Sequence, residues 1–164
     1  MATLQKLTPC LWFDNQAEEA AKFYVSIFKN SKLGNVSHYP SEGQEIHGQE
    51  EGKVLVAEFE IEGQNFLALN GGPQFKFTEA VSFIVNCDTQ EEIDYHSSKL
   101  TADGGEVGPC GWVKDKFGLS WQVAPSMIGK WLADPDKRKS ARVFKAVMQM
   151  KKLDLAALQK AFAG

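Results

Sequence analysis

The sequence contains little cysteine and no long run of hydrophobic residues. Its three cysteines, Cys10, Cys87 and Cys110, are odd in number and lack the CxxC spacing of zinc or redox motifs. We therefore predict free, buried thiols in a reducing cytosol and no disulfide framework. The N-terminal segment has no signal-peptide core, and no stretch is long enough to span a bilayer. The prediction is a cytoplasmic protein with no membrane partner.

A large excess of one charge is also lacking. The 164 residues carry 18 basic and 21 acidic side chains, for a net charge of -3. No broad basic field is available to neutralise a phosphate backbone, so we predict no nucleic-acid partner. Hydrophobic residues make up 43% of the chain, which is enough to bury a core without disulfide or metal staples.

Hydrophobic periodicity predicts an α+β fold in which one pattern occurs twice. In the first half, a strand is followed by a helix that Asn15 is expected to cap, with Glu18 in the capping-box position. A glycine- and glutamate-rich loop at 40–52 is the segment we expect to be most mobile. Glu62-Gly63 then predicts a hairpin turn. The predicted strands are Leu7–Phe13, Leu33–Tyr39, Val54–Ile61 and Gln64–Leu69.

The second half repeats this order. A strand leads into a helix with Thr89 and Glu92 as a capping box, and two strands follow around the turn Asp115-Lys116-Phe117-Gly118. We expect Asp115 to hydrogen-bond the amides of that turn. The predicted strands are Val81–Val85, Glu106–Val113 and Leu119–Ala124. The modules span about 5–71 and 79–125, within a domain at 1–125.

For residues 126–164 we predict a helical C-terminal extension. The predicted helices are Ser126–Leu132, a segment from Asp134-Pro135 to about Met150, and a last helix capped by Asp154. The basic residues between Lys137 and Lys145 are expected to be the solvated face of the second of these helices.

Two motifs resemble the PhnB-like branch of the glyoxalase/bleomycin-resistance/dioxygenase superfamily, also called vicinal oxygen chelate proteins. They are Leu7-Thr8-Pro9-Cys10-Leu11-Trp12-Phe13-Asp14 and the stretch from Cys110-Gly111-Trp112 to Trp121-Gln122-Val123. The resemblance covers about residues 5–125. It implies two βαβββ modules that form a curved mixed-sheet cup, a homodimer, and a small organic molecule as ligand. Members often carry the label 3-demethylubiquinone-9 3-methyltransferase, but this sequence lacks the strand and glycine-rich turn of a Rossmann-type methyl-donor site.

Metal-dependent members of that superfamily place one His or Glu ligand on each of four strands. The resemblance puts those positions at Leu7, Ala80 and Gln122, with the fourth at Leu67 or a neighbour. Leucine and alanine have no lone pair to donate, and one glutamine carbonyl cannot hold a transition metal against water. We therefore predict no metal and no cofactor. The predicted ligand-binding residues are Leu7, Leu67, Asn70, Ala80, Cys110, Trp112 and Gln122.

Other functions stay open, and no catalytic residue is assigned. An enzyme, a lyase or transferase, could act through Cys110, which we expect in a strand of the motif, or through a histidine of the loop. His38 and His47 flank that loop beside several glutamates, yet their spacing matches no common metal motif. A third reading is a dimeric interaction module whose cup is filled by its own side chains.

Overall fold

Two sheets of four strands have the same strand order, and each belongs to its own compact unit. The computed structural model describes residues 5–164. The units divide between Lys76 and Phe77. In each sheet the first and last strands of the module lie side by side and parallel, and the remaining pairs are antiparallel. This is the predicted arrangement of two βαβββ modules.

Unit 1 carries the order β1-β4-β3-β2. Its elements are β1 (Cys10–Phe13), α1 (Ala17–Ile27), β2 (Lys32–His38), α2 (Gln44–His47), β3 (Val54–Ile61) and β4 (Gln64–Asn70). The short helix α2 lies in the segment predicted to be a loop. The hairpin prediction is confirmed, because Glu62 and Gly63 connect β3 to β4 with positive φ angles of 48° and 81°.

One face of this sheet is buried against α1. Side chains alternate between the two faces of a strand, and the alternate residues of β3 and β4 that point toward α1 are buried. The Tyr24 ring of α1 stacks on Phe59, with ring centroids 5.8 Å apart, and Phe59 stacks on Phe66 at 5.3 Å. These aromatic contacts form the centre of the unit 1 core.

The predicted Asn15 cap of α1 is wrong. Gln16 occupies the N-cap position, and its side chain makes no capping bond. The cap comes from Asn70 at the end of β4, whose Oδ1 accepts a hydrogen bond from the Ala17 amide at 2.8 Å. Asn70 lies opposite Phe13, the last residue of β1, so the parallel pairing of the two strands brings its amide to the start of the helix.

We expect Asn70→Ala to lower the free energy of unfolding by about 2 kcal/mol, because it removes two hydrogen bonds, the buried one that caps α1 and a part-buried one. The second of these bonds runs from Asn70 Nδ2 to the Val54 carbonyl at 3.0 Å. Asn15→Ala, at an exposed position beside the same helix start, is the matched control and should change stability by less than about 0.5 kcal/mol. Urea denaturation of both variants measures this, and equal losses would contradict the Asn70 cap.

Unit 2 carries the order β5-β8-β7-β6 and ends in three helices. Its elements are β5 (Ser82–Cys87), α3 (Gln90–Leu100), β6 (Glu106–Val107), β7 (Trp112–Lys114), β8 (Ser120–Pro125), α4 (Ile128–Leu132), α5 (Lys137–Met148) and α6 (Leu155–Ala163). Thr89 caps α3 as predicted, accepting from the Glu92 amide at 3.2 Å. The Glu92 carboxylate accepts from the Asp88 amide instead of from the Thr89 amide.

The strand predicted at 106–113 is interrupted. Residues 108–111 leave the sheet between β6 and β7, and Cys110 adopts a left-handed backbone with a φ of 58°. The expectation that Cys110 lies in a strand is therefore wrong. The Cys110 and Gly111 amides donate to the carbonyls of Met150 and Lys151, each at 2.7 Å. A β-carbon on Gly111 would lie 2.8 Å from the Val123 carbonyl oxygen, so this crossing needs glycine.

The three C-terminal helices belong to unit 2 and share a small apolar core with β8. The buried members of this core are Ala124, Trp131, Val143, Leu153 and Leu158. Asp154 caps α6 as predicted, but α5 is capped by Asp136 and not by the predicted Asp134. Within residues 5–164, no helix has the length and apolar character needed to cross a membrane.

Candidate functional site

Each sheet has a second face, on the side away from its crossover helix α1 or α3, and we call it the open face. In unit 2 this face carries Trp112 and Lys114 from β7 beside Ser120 and Gln122 from β8. These residues are register partners, because Trp112 lies opposite Gln122 and Lys114 lies opposite Ser120. Val113 and Trp121, which alternate with them, are buried on the side that packs against α3.

A cavity of about 320 Å³ lies on the open face of unit 2. This volume is within the range of small-molecule sites in proteins. Its apolar walls include Val107, Pro109 and the half-buried Trp112. Its polar lining residues are Glu79, Glu106, Lys114 and Ser120. The site thus combines an aromatic surface with charged groups and a serine that is only 1% exposed.

An ion pair organises the charges of this cavity. Lys114 Nζ lies 2.6 Å from Glu79 Oε1. The hydrogen bond and charge of Lys114 hold the pKa of Glu79 below its ordinary value. Glu79 in turn raises the pKa of Lys114, and the Glu106 carboxylate adds to that effect. Both groups of the pair are therefore charged at neutral pH.

Two of the predicted ligand-binding residues, Trp112 and Gln122, lie side by side. Gln122 is half-buried, and its Nε2 donates to Ser82 Oγ at 2.9 Å. Trp121 points the opposite way, as alternation predicts, and its Nε1 donates to Asp115 Oδ2 at 2.9 Å. Asp115 also accepts from the Phe117 and Leu119 amides, which confirms its predicted role in the turn.

The other predicted residues lie elsewhere. Leu67 is on the open face of unit 1, beside a cavity of about 310 Å³ that Lys32 and Glu60 also line. Leu7 is 85% exposed and precedes β1, and Ala80 is exposed in the loop before β5. Asn70 faces the helix side, where both ends of its amide already bind backbone groups. A ligand bond to Asn70 would have to replace one of these bonds.

Sequence reasoning missed Glu79, Glu106 and Ser120 as parts of a site. Alternation offered a signal for Ser120, which lies two positions before Gln122 and so shares its face. Glu79 precedes β5 and Glu106 begins β6, and only the folded unit brings them to Lys114.

A comparison with known protein families assigns the chain to one of them. The family model described as 3-demethylubiquinone-9 3-methyltransferase matches residues 5–124. The chain belongs to this family. Its PhnB-like fold of two βαβββ modules is the fold of the glyoxalase/bleomycin-resistance superfamily. The last forty residues, with α4 to α6, lie beyond the match.

Solved structures agree with this placement. The PhnB protein of Bacillus cereus is 37% identical, with a TM-score of 0.63, over 74% of this chain and 99% of that one. PA1353 of Pseudomonas aeruginosa shares the fold at 20% identity and a TM-score of 0.58, over 75% of this chain and 98% of that one. The fosfomycin resistance protein FosX of Listeria monocytogenes, complexed with Mn(II), also matches over 76% of this chain and 90% of that one. Its identity of 14% and TM-score of 0.45 are too low to bear on function. No curated protein sequence matches the chain.

The residues at the four positions where the family resemblance predicts metal ligands do not fit a metal site. Leu7, Leu67 and Ala80 have no donor atoms, and Gln122 offers only an amide. Within residues 5–164, no group of three or more His, Cys, Asp or Glu side chains is placed to hold an ion. In the loop, His47 Nδ1 accepts from the Gln49 amide at 3.0 Å, so that nitrogen is already engaged.

The three cysteines are free and differ in environment. The Cys110 thiol is half-buried and lies 3.8 Å from Met148 Sδ of α5. The prediction that all three are buried holds for Cys87 but not for Cys10, which is exposed. Burial, with the negative charges of Glu92 and Asp88, raises the pKa of the Cys87 thiol to about 12.

We expect Cys87 to resist alkylation by iodoacetamide in the native protein. At about pH 8, a thiol with a pKa of about 12 is ionised in only about one molecule in ten thousand. Peptide mass spectrometry should find Cys87 unmodified after native treatment, whereas the unfolded protein should be alkylated at all three cysteines. Rapid native labelling of Cys87 would show that its environment is not the one described.

Proposed function

We propose that the protein binds a small organic molecule on the open face of unit 2, without a resident metal ion. The observation that carries the proposal is the cavity of about 320 Å³. Trp112, Ser120 and the Lys114–Glu79 ion pair all line it. An apolar wall with a few convergent polar groups is the usual composition of a ligand site. Gln122 of β8 lies opposite Trp112 of β7 and supplies a further polar group on the same open face.

A homodimer in the cytoplasm is the second part of the proposal. Family resemblance supports the dimer. Ile84 of β5, beside Gln122 on the open face, is 57% exposed, and burying such an apolar side chain on assembly would be favourable.

Leu67 occupies the position in unit 1 that Gln122 occupies in unit 2, opposite Cys10 of the parallel strand. Leu67 is therefore the best remaining candidate for a ligand contact on the open face of unit 1.

An enzyme remains the alternative, because the family is described as a methyltransferase. The two strand-to-helix junctions, at 14–16 and 88–89, contain no glycine, so neither resembles the glycine-rich turn of a Rossmann-type methyl-donor site. The Cys110 thiol contacts Met148 of α5, and its amide donates to the Met150 carbonyl between α5 and α6. Loss of turnover in Cys110→Ser or His47→Ala would favour the enzyme.

Native mass spectrometry with metal analysis tests the proposal on freshly purified protein. We expect a dimer that carries a small organic adduct and no stoichiometric metal. A stoichiometric divalent ion would overturn the metal-free part, and a monomer would overturn the dimer. Exchange of the adduct should be sensitive to substitutions in the cavity of unit 2.

Trp112→Leu should weaken binding of the adduct, or of small aromatic probes, by about tenfold, because it removes the aromatic wall. Phe144→Leu is the matched control, since Phe144 lies on α5 in the same unit and is 57% exposed. Binding is followed by NMR through the tryptophan indole N–H signals. Shifts that persist unchanged in Trp112→Leu would place the ligand elsewhere and contradict the proposed site.

A further inference from the structure

The charges that line the unit 2 cavity do not balance. Two carboxylates, Glu79 and Glu106, face one ammonium group, that of Lys114. Glu79 is already paired with Lys114 at 2.6 Å. Within the described chain, the Glu106 carboxylate makes no hydrogen bond or ion pair, although the backbone of Glu106 lies opposite Lys114 in the β6–β7 pair. The cavity therefore carries a net negative charge and one carboxylate that can accept further donors.

The aromatic wall favours a charge of the opposite sign. Trp112 is half-buried and lines the cavity. The face of an indole attracts cations, and tryptophan does so more strongly than the other aromatic side chains. A flat apolar body would also cover Pro109, which lies on the chain between Glu106 and Trp112 and lines the same cavity. An aromatic surface and an available carboxylate thus occur in the same cavity.

Resting on the proposed function, we infer that this cavity selects organic cations with a flat apolar body. The ligand ring packs on Trp112, and its amidinium, guanidinium or ammonium group donates hydrogen bonds to Glu106. Charge-assisted bonds of this kind are about twice as strong as neutral ones, and a forked donor can engage both carboxylate oxygens. Ser120, on the same face as Lys114, adds a hydroxyl group.

The same groups disfavour anions. A carboxylate or phosphate ligand would need Lys114, and it would have to displace Glu79 from a contact of 2.6 Å. The freed Glu79 and the nearby Glu106 would then both repel it. Like charges brought together without compensation oppose binding. A neutral ligand of the same shape avoids this repulsion but gains nothing from Glu106.

Three probes of nearly the same size and shape separate these cases: benzamidine, benzamide and benzoate, which are cationic, neutral and anionic. We expect benzamidine to bind about fivefold more tightly than benzamide, and benzoate to bind most weakly. Each is titrated into the full-length protein while the Trp112 indole N–H signal is followed by NMR. Glu106→Gln should reduce the preference for benzamidine to less than about twofold. Glu51→Gln removes the same charge from an exposed turn in unit 1 and should leave the preference unchanged.

The outcomes separate this inference from the proposed function. Equal or tighter binding of benzamide or benzoate would overturn the preference for cations and leave the binding site standing. A preference that survives Glu106→Gln would overturn the role of Glu106. Failure of all three probes to move the Trp112 signal would overturn both proposals. Thermal melting of each variant should match that of the parent, because the Glu51 and Glu106 carboxylates are exposed and make no hydrogen bond or ion pair within the described chain.

Discussion

The parallel pairing of the first and last strands is the constraint on which each unit depends. Parallel neighbours cannot be joined by a tight turn, so the chain must cross over the sheet, and here it does so through α1 and α3. A crossover helix of 11 residues buries one face only. The side chains on that face become the core, and those on the other face include polar and half-exposed groups.

Two polar side chains, those of Asn70 and Asp115, fix which side chains face the core and which face outward. Asn70 connects the end of β4 to the first amide of α1, so the strand and the helix are positioned together. Asp115 accepts from two turn amides and from the Trp121 indole, which fixes Trp121 on the core side of β8. Because neighbouring side chains alternate, that orientation also places Ser120 and Gln122 on the open face.

The two open faces are equivalent in geometry but different in chemistry. Lys32 lies opposite Glu60 in unit 1, and Glu106 lies opposite Lys114 in unit 2, so the charges are reversed between equivalent strands. Leu67 has Glu58 as its antiparallel neighbour, whereas Gln122 has Trp112. A tryptophan at this position is thus specific to unit 2, whereas unit 1 carries Trp12 on the first strand of its open face, opposite Leu69.

Features set by neighbours along the chain were predictable from the sequence alone. These are the positions of the two crossover helices α1 and α3, the Glu62-Gly63 turn, and the caps at Thr89 and Asp154. The tertiary structure alone decided the Asn70 cap, the break of the strand around Cys110, and the meeting of Glu79 and Glu106 with Lys114. Their groups lie far apart in the chain or depend on packing against the last helices, and local propensity carries no information about such partners.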